Sequence, residues 1–469
     1  MIEGHTGLYT DMYQLTMAQA YFRDGTSEDR ATFDYFFRKI PFEGGFVLFA
    51  GLADWLDLVE EFRYSPQDLD YLRSQGFQAD FLQYMSKFRF QGTIAAAREG
   101  EVVFPLEPVV RVEGRLLEAQ VIESVLLNFL NFESLIATKA ARLRLAAGPR
   151  LLSEFGLRRS HGFGGIQASR AAVIGGCDTT SNVFSAWRFG LRPAGTMAHS
   201  YIESHVDELE AFRKFSASHP EGCIFLVDTY DTLRSGVPNA IRVAKELERQ
   251  GRRLYAVRLD SGDLAYLAKR TRAMLDEAGL GYVKVVASNL LDEHVIKSLL
   301  EQGAPIDLFG VGTRLATGAP DGALDGVYKL AEVSGEPRLK LSESLVKITL
   351  PGRKKVIRHS DAQGCFQADA VVLDEENEVA RMIHPFEPDK SLRLQEFQKE
   401  ALLDRVMEGG RRLHEQEPVD QIAAYARERL ARLPEEHKRF ENPHIYKVGI
   451  SERLTGLRDG LVRRFRKED

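Results

Sequence analysis

Four stretches decide the fold: CIFLVDTYD (Cys223–Asp231), LYAVRLDSGD (Leu254–Asp263), VKVVASN (Val283–Asn289) and DLFGVGT (Asp307–Thr313). Each opens with a short apolar run that reads as a strand: Cys223–Val227, Leu254–Leu259, Val283–Ala287 and Asp307–Val311. The strand starts are about 24 to 31 residues apart, the length of a βα unit. Amphipathic helices fit the gaps. Pro238–Arg249 places Ile241, Ala244 and Leu247 on one face, and Asp292–Glu301 pairs Val295 with Leu299 and Ile296 with Leu300. Repeated units of this kind imply a parallel α/β sheet, closed or open.

Each strand runs straight into polar residues. These are Asp228-Thr229-Tyr230-Asp231, Asp260-Ser261-Gly262-Asp263 (with Arg258 just before), Ser288-Asn289 and Gly312-Thr313. Parallel α/β folds build their sites at these C-terminal strand ends. Taken singly, each loop has a plainer explanation, since Asp, Ser and Asn also cap the following helix. Four in succession favour a site. The chemistry they suit is phosphate handling: Gly310, Gly312 and Thr313 can offer main-chain N–H groups to a phosphate. Asp260 and Asp263 suit a ribose or Mg²⁺, which takes a few carboxylates plus substrate oxygens. No GxxxxGK[ST], strand-GxGxxG-helix or GxSxG pattern is present, which disfavours Walker, Rossmann and serine-nucleophile sites.

Upstream, Leu152–His205 mixes Arg158, Arg159, Ser169, Arg170 and Thr179–Asn182 with many glycines. Glycine lets the backbone approach an anion and arginine offers a fixed donor fork. The stretch ends in Gly195-Thr196-Met197-Ala198-His199-Ser200, an imidazole set among hydroxyls. A histidine there is more often a satisfied structural residue; the acidic loops downstream favour a functional one.

The remaining segments frame this region. A helix is expected from the Thr10-Asp11 cap to Gly25, a strand over Ala31–Arg38, and helices near Leu52–Phe62, Asp68–Ser74 and Asp80–Phe88. A small β layer is expected over Thr93–Glu113, then one or two buried helices over Leu116–Leu145. After Gly326, VYKLAEV, RLKLS, KVIRH and CFQADAVVL read as a β meander, followed by a charged tail with helical runs at Asp420–Leu433 and Ser451–Phe465. The Gly-rich 160–167 stretch reads either as a lid or as a turn.

The 469-residue chain carries a net charge of -6, which argues against a nucleic-acid partner. Three scattered cysteines give no disulfide framework and no metal motif. Neither a signal-like N-terminus nor an apolar run of membrane length is evident, so a cytoplasmic protein without membrane contact is expected.

Taken together, these segments resemble the nicotinate phosphoribosyltransferase family. The resemblance rests on GLYTDMYQLTM (Gly7–Met17), FGLRR (Phe155–Arg159), ASRAA (Ala168–Ala172), Gly195-Thr196 through His199-Ser200, and VDTYDT (Val227–Thr232). It continues through VRLDSGD (Val257–Asp263), GVGT (Gly310–Thr313), Lys340-Leu341-Ser342 with Lys347, Pro351-Gly352 and Arg358, spanning roughly residues 5 to 360.

The resemblance implies a type II phosphoribosyltransferase. Its α/β fold is an irregular TIM-like barrel over 116–325, beside an α+β domain of residues 1–115 completed by about 326–392. A packing or dimer segment follows at 393–469. The implied reaction joins nicotinate to phosphoribosyl pyrophosphate, giving nicotinate mononucleotide and pyrophosphate in NAD biosynthesis. ATP and Mg²⁺ are implied participants, and the implied assembly is a homodimer with shared active sites. By position, His199 resembles a transiently phosphorylated histidine; Asp260 and Asp263 are expected to be catalytic. Tyr13, Thr196 and Arg258 resemble nicotinate contacts. Thr313 resembles a phosphoribosyl pyrophosphate contact and Arg159 the family's arginine near the carboxylate and phosphates, while Ser288, Asn289, Gly310 and Gly312 are read as substrate-binding residues. The metal ligands stay unassigned, and the tail lacks the cysteine cluster of zinc-bearing relatives. A nicotinamide-preferring relative and a catalytically silent phosphosugar-binding protein are the alternatives.

Overall fold

The computed structural model describes residues 4–341, 349–394 and 396–466. Ser342 and Lys347 of the family-like motif lie outside them. The chain divides into two compact units. One is Met1–Leu135 with Ala323–Glu417 and Ala424–Asp469; the other is Ile136–Gly322 with Pro418–Ala423.

The first unit holds two large sheets. In the seven-stranded antiparallel sheet, Arg30–Phe37 lies between Gly326–Val333 and Val110–Arg115, and Thr93–Ala96 pairs with Asp404–Glu408. Its apolar face buries Phe33 and Tyr35 in a core with Trp55, Phe62, Phe81 and Leu126. Helices Met12–Asp24, Leu52–Glu61, Pro66–Ser74 and Ala79–Met85 occupy the expected places. Gly25 ends the first of them in the left-handed conformation (φ 81°) that glycine adopts without strain. In the six-stranded sheet, Phe366–Leu373 pairs antiparallel with Lys354–Ser360 and parallel with Lys447–Ser451. Arg358, fully buried, holds Asp369 and Glu101 at 2.6 Å each.

Two expectations about this region are corrected. The strands after Gly326 do not form one meander: Gly326–Val333 joins the seven-stranded sheet, whereas Lys354–Ser360 and Phe366–Leu373 join the six-stranded one. The described part of RLKLS is not a strand, because beyond the short Glu336–Pro337 pairing no strand among the described residues receives it. Within the tail, Gln398–Ala401, Asp404–Glu408 and Lys447–Ser451 are built into the two sheets.

Leu116–Val121 and Glu123–Ala147 are helical. By length and hydropathy, 116–147 matches a membrane span, but 67% of its apolar window is buried within the protein, as in a core helix.

The second unit is a six-stranded parallel sheet. We label its strands β1 (Leu151–Glu154), β2 (Thr179–Thr180), β3 (Ile224–Leu226), β4 (Ala256–Leu259), β5 (Lys284–Ser288) and β6 (Leu308–Val311). The order is β2-β1-β6-β5-β4-β3, with every pair parallel. Phe225, Val257, Val286 and Phe309 are buried, which explains why these short apolar runs form strands. Helices Val237–Arg249, Leu264–Glu277 and Glu293–Glu301 connect β3 through β6 and bury Val243, Ala268 and Ile296 respectively. Asp292 caps the last through Val295 N–H at 2.9 Å. The α/β class is as expected. No pairing joins β2 to β3 among the described residues, so the hydrogen-bonded ladder is open at that edge.

Candidate active site

The C-terminal strand ends of the second unit surround a cavity of about 490 Å³. Parallel strands place these loops side by side because every chain direction agrees, so polar residues just past each strand converge. The lining includes Arg159, Thr196, His199, Arg258, Asp260, Ser288, Asn289, Gly310, Gly312 and Thr313. Among the residues given a site role from sequence, Tyr13 and Asp263 do not line it, and neither do the strand-end residues Asp228–Asp231.

Arg258 projects from β4 with its side chain mostly buried (14% exposed). Its Nη1 donates to Thr196 Oγ1 at 2.5 Å, and Asp260 Oδ2 lies 4.0 Å from Nη2. Its Nε is buried without an acceptor among the described residues. Burial pulls the guanidinium below its ordinary value, opposed by the charges of Asp260 and Asp228. The result is a planar cationic fork held at the cavity wall with donor capacity left over.

Asp260 follows β4 and is fixed from two sides. Its Oδ1 accepts the Ser288 hydroxyl at 2.5 Å, and its backbone N–H donates to Asp228 Oδ2 at 2.9 Å. Asp228 also accepts the Ser261 hydroxyl at 2.5 Å, while its Oδ1 is buried with no donor among the described residues. His199 opens the short helix His199–Glu203. Its Nδ1 meets Thr229 Oγ1 at 3.1 Å and its Nε2 lies 3.8 Å from Asp260 Oδ2. The imidazole and Asp260 are each about one-third exposed, so both can be reached from solvent.

Opposite them, β1 ends in the turn Leu157–Arg159, which presents Arg158 and Arg159 to the cavity. Glu154, at the end of β1, is 1% exposed and organises this corner. It accepts Gly156 N–H, the Ser169 hydroxyl at 3.0 Å and the Thr180 hydroxyl at 2.5 Å. Gly165 and Asn182 join the same network through Ser169. The Gly-rich stretch 160–167 is a turn leading into a helix that starts at Gly164.

The glycine of β6 has a packing role as well: a Cβ on Gly310 would stand 2.5 Å from the Phe155 ring. Asn289 and Leu290, on the cavity wall, both have positive φ (81° and 44°), backbone strain of the sort found at functional sites.

Asp263 is held at the start of a helix rather than on the cavity wall. Its carboxylate accepts Tyr266 N–H at 3.0 Å and caps the helix Leu264–Glu277. Tyr13 is on the helix Met12–Asp24 of the first unit, 48% exposed. No group of three or more His, Cys, Asp or Glu side chains able to cage a metal occurs among the described residues.

The nicotinate phosphoribosyltransferase (NAPRTase) N-terminal domain model matches residues 8–131, the family model 151–381 and the C-terminal domain model 353–458. A nicotinate phosphoribosyltransferase of Bacillus subtilis is 44% identical over 460 residues, covering 95% of this chain and 93% of that one. The chain belongs to the nicotinate phosphoribosyltransferase family. One from Dictyostelium discoideum is 37% identical, covering 96% of this chain and 87% of its own. The human nicotinic acid phosphoribosyltransferase crystal structure superposes with a TM-score of 0.86 at 33% identity, covering 96% of this chain and 99% of that one. A nicotinate-nucleotide pyrophosphorylase from Pyrococcus furiosus gives 0.73 at 26% identity, covering 91% and 95%.

Within this family fold, sequence reasoning passed over Leu290 on the wall, and it noted Arg158, Ser181, Asp228 and Thr229 only within polar stretches without giving them a role. Asp228 and Thr229 carried a signal, as the polar end of a strand, but one that helix capping mimics.

Proposed function

We propose that the protein joins nicotinate to phosphoribosyl pyrophosphate, releasing nicotinate mononucleotide and pyrophosphate, in nicotinate salvage for NAD biosynthesis in the cytoplasm. The observation that carries this reading is the convergence, in one cavity of a family member, of the Arg258–Thr196 fork with Arg158, Arg159 and Asp260. Arg258 has the planar donors that grip a carboxylate, and its buried position strengthens that contact. Arg158, Arg159 and the Gly312-Thr313 turn meet the phosphates. The pyridine nitrogen attacks the anomeric carbon, the C–N bond forms, and the C–O bond breaks with its electron pair leaving on pyrophosphate. Positive charge grows on the sugar and negative charge on the leaving group, so Asp260 stabilises the first and the arginines the second.

The donor set suits Mg²⁺, which takes one or two carboxylates and completes its shell with water and substrate phosphate oxygens. Asp260, on the cavity wall, is the carboxylate that would hold it, with Asp228 bracing the Asp260 backbone from behind. Bound there, the ion would neutralise pyrophosphate charge.

His199 is the site of ATP coupling in this reading. Its ring nitrogen attacks the terminal phosphorus of ATP, ADP leaves, and water later cleaves the P–N bond. The two added charges sit beside Asp260 and Arg258 and reshape their contacts, which links ATP use to substrate binding. Asp260 at 3.8 Å and Thr229 at 3.1 Å orient the ring. Tyr13, exposed on the first unit, completes the site of the second subunit in a homodimer.

The test is mononucleotide formation from phosphoribosyl pyrophosphate and nicotinate or nicotinamide, with and without ATP, for the wild type and His199→Ala. Nicotinate turnover raised by ATP, with that increment lost in His199→Ala, is expected. Turnover indifferent to both would remove the phosphohistidine. Nicotinamide turnover above nicotinate would reassign the substrate.

A further inference from the structure

Arg258 on β4 and Asp260 just past it carry opposite charges, yet they do not close into a contact pair: Asp260 Oδ2 stands 4.0 Å from Arg258 Nη2. The Arg258 side chain is mostly buried, so little water screens the attraction between them. A guanidinium and a carboxylate this near pair at hydrogen-bond distance unless something else holds them. Both are held. Arg258 Nη1 is tied to Thr196 Oγ1, and Asp260 Oδ1 to the Ser288 hydroxyl at 2.5 Å.

Ser288 ends β5 beside β4, where Ala287 is in register with Leu259, and this places its side chain against Asp260. It borders the cavity but is only 3% exposed. A hydroxyl has one proton to give, and the charged Asp260 oxygen at 2.5 Å outcompetes the neutral Leu259 O at 3.4 Å for it. No donor is left on Ser288 for an incoming phosphate. Asp228 Oδ2 holds the Asp260 backbone N–H from behind, so the freedom left to Asp260 is rotation of its side chain. Ser288 fixes that rotation and leaves Oδ2 facing His199 and Arg258.

We propose that Ser288 is a positioning residue that holds Asp260 off Arg258 and thereby keeps the guanidinium fork open for a substrate carboxylate. The inference rests on the reading of Arg258 as the nicotinate clamp. Arg258 Nε, buried without an acceptor among the described residues, and Nη2, still 4.0 Å from Asp260, are the donor capacity that a closed pair would consume. With the Ser288 hydroxyl gone, the Asp260 carboxylate rotates, closes the gap and competes with nicotinate for the same donors. Saturating nicotinate displaces it again, so the cost falls on affinity rather than on turnover.

Initial rates over both substrates test this in Ser288→Ala, which removes a single oxygen atom, and in Ser288→Thr, which keeps the hydroxyl. In Ser288→Ala the KM for nicotinate is expected to rise about three- to tenfold, while kcat and the KM for phosphoribosyl pyrophosphate move far less. Ser288→Thr should recover most of that loss. In an Arg258→Ala background, Ser288→Ala should change the nicotinate KM by less than about twofold, because no fork remains to be blocked. A raised KM for phosphoribosyl pyrophosphate without one for nicotinate would make Ser288 a substrate contact and overturn the proposal. Full additivity of the two substitutions would overturn it too, as would a wild-type nicotinate KM in Ser288→Ala when Arg258→Ala raises that KM. A nicotinate KM unmoved by Arg258→Ala would instead remove the clamp itself, and this inference with it.

Discussion

Replacing Glu154 by alanine removes one buried acceptor group from three donors at once. Gly156 N–H, the Ser169 hydroxyl and the Thr180 hydroxyl all point at its carboxylate. Ser169 keeps a second acceptor in Gly165 O at 2.9 Å, so its loss is light. Gly156 and Thr180 carry the main cost, at roughly 1–3 kcal/mol for each buried donor left unsatisfied. The void left by the side chain adds to this, giving a total of about 3–5 kcal/mol against a total stability of roughly 5–15 kcal/mol. Glu154→Gln keeps the volume and one carbonyl acceptor but turns an N–H₂ toward other donors, and about 1–2 kcal/mol is expected. The damage is directional. Gly156 opens the turn carrying Arg158 and Arg159, so in Glu154→Gln the KM for phosphoribosyl pyrophosphate rises more than the KM for nicotinate. Urea unfolding followed by steady-state kinetics at a temperature where both variants stay folded measures the two effects separately. An unfolding midpoint for Glu154→Ala equal to the wild type would refute the energetic reasoning. Equal rises in both KM values in Glu154→Gln would refute the positional one.

Arg258→Ala removes a charge-assisted contact of roughly 1.5–3 kcal/mol, so KM for nicotinate is expected to rise about 10- to 150-fold in initial-rate assays. Arg258→Lys should recover little of it, because an ammonium lacks the planar fork. Asp263→Ala loses a helix cap worth about 1 kcal/mol, so the melting temperature falls while kcat is retained; a kcat collapse would restore Asp263 to the chemistry. Burial lowers the His359 imidazole from its ordinary value of 6.5, opposed by the charge of Asp369. The folded state keeps this ring neutral while the unfolded chain takes up a proton below about pH 6.5. Its contribution is therefore complete above that pH and is lost as pH falls, by at most about 1.4 kcal/mol per unit. His359→Phe should flatten the stability profile between pH 7 and 5.

The parallel sheet was legible because its strands are short, apolar and buried, and because the helices between them carry regular periodicity. Tail pairings were hidden, since Phe366–Leu373 meets Lys447–Ser451 across some eighty intervening residues and no local pattern marks such a partner. RLKLS alternates like a strand, yet alternation states only what a strand would need and not whether a neighbour exists. At the site, Asp260 and Asp263 look alike in sequence. Only the path of the backbone after Gly262, with φ 75°, separates the residue facing the cavity from the one capping the helix.

Product formation from phosphoribosyl pyrophosphate and nicotinate is the measurement that reaches the central claim most directly. Wild-type protein should yield nicotinate mononucleotide and pyrophosphate in equal amounts, and Arg258→Ala at subsaturating nicotinate should yield far less. A properly folded wild type that forms no mononucleotide from nicotinate, with or without ATP and Mg²⁺, would contradict it.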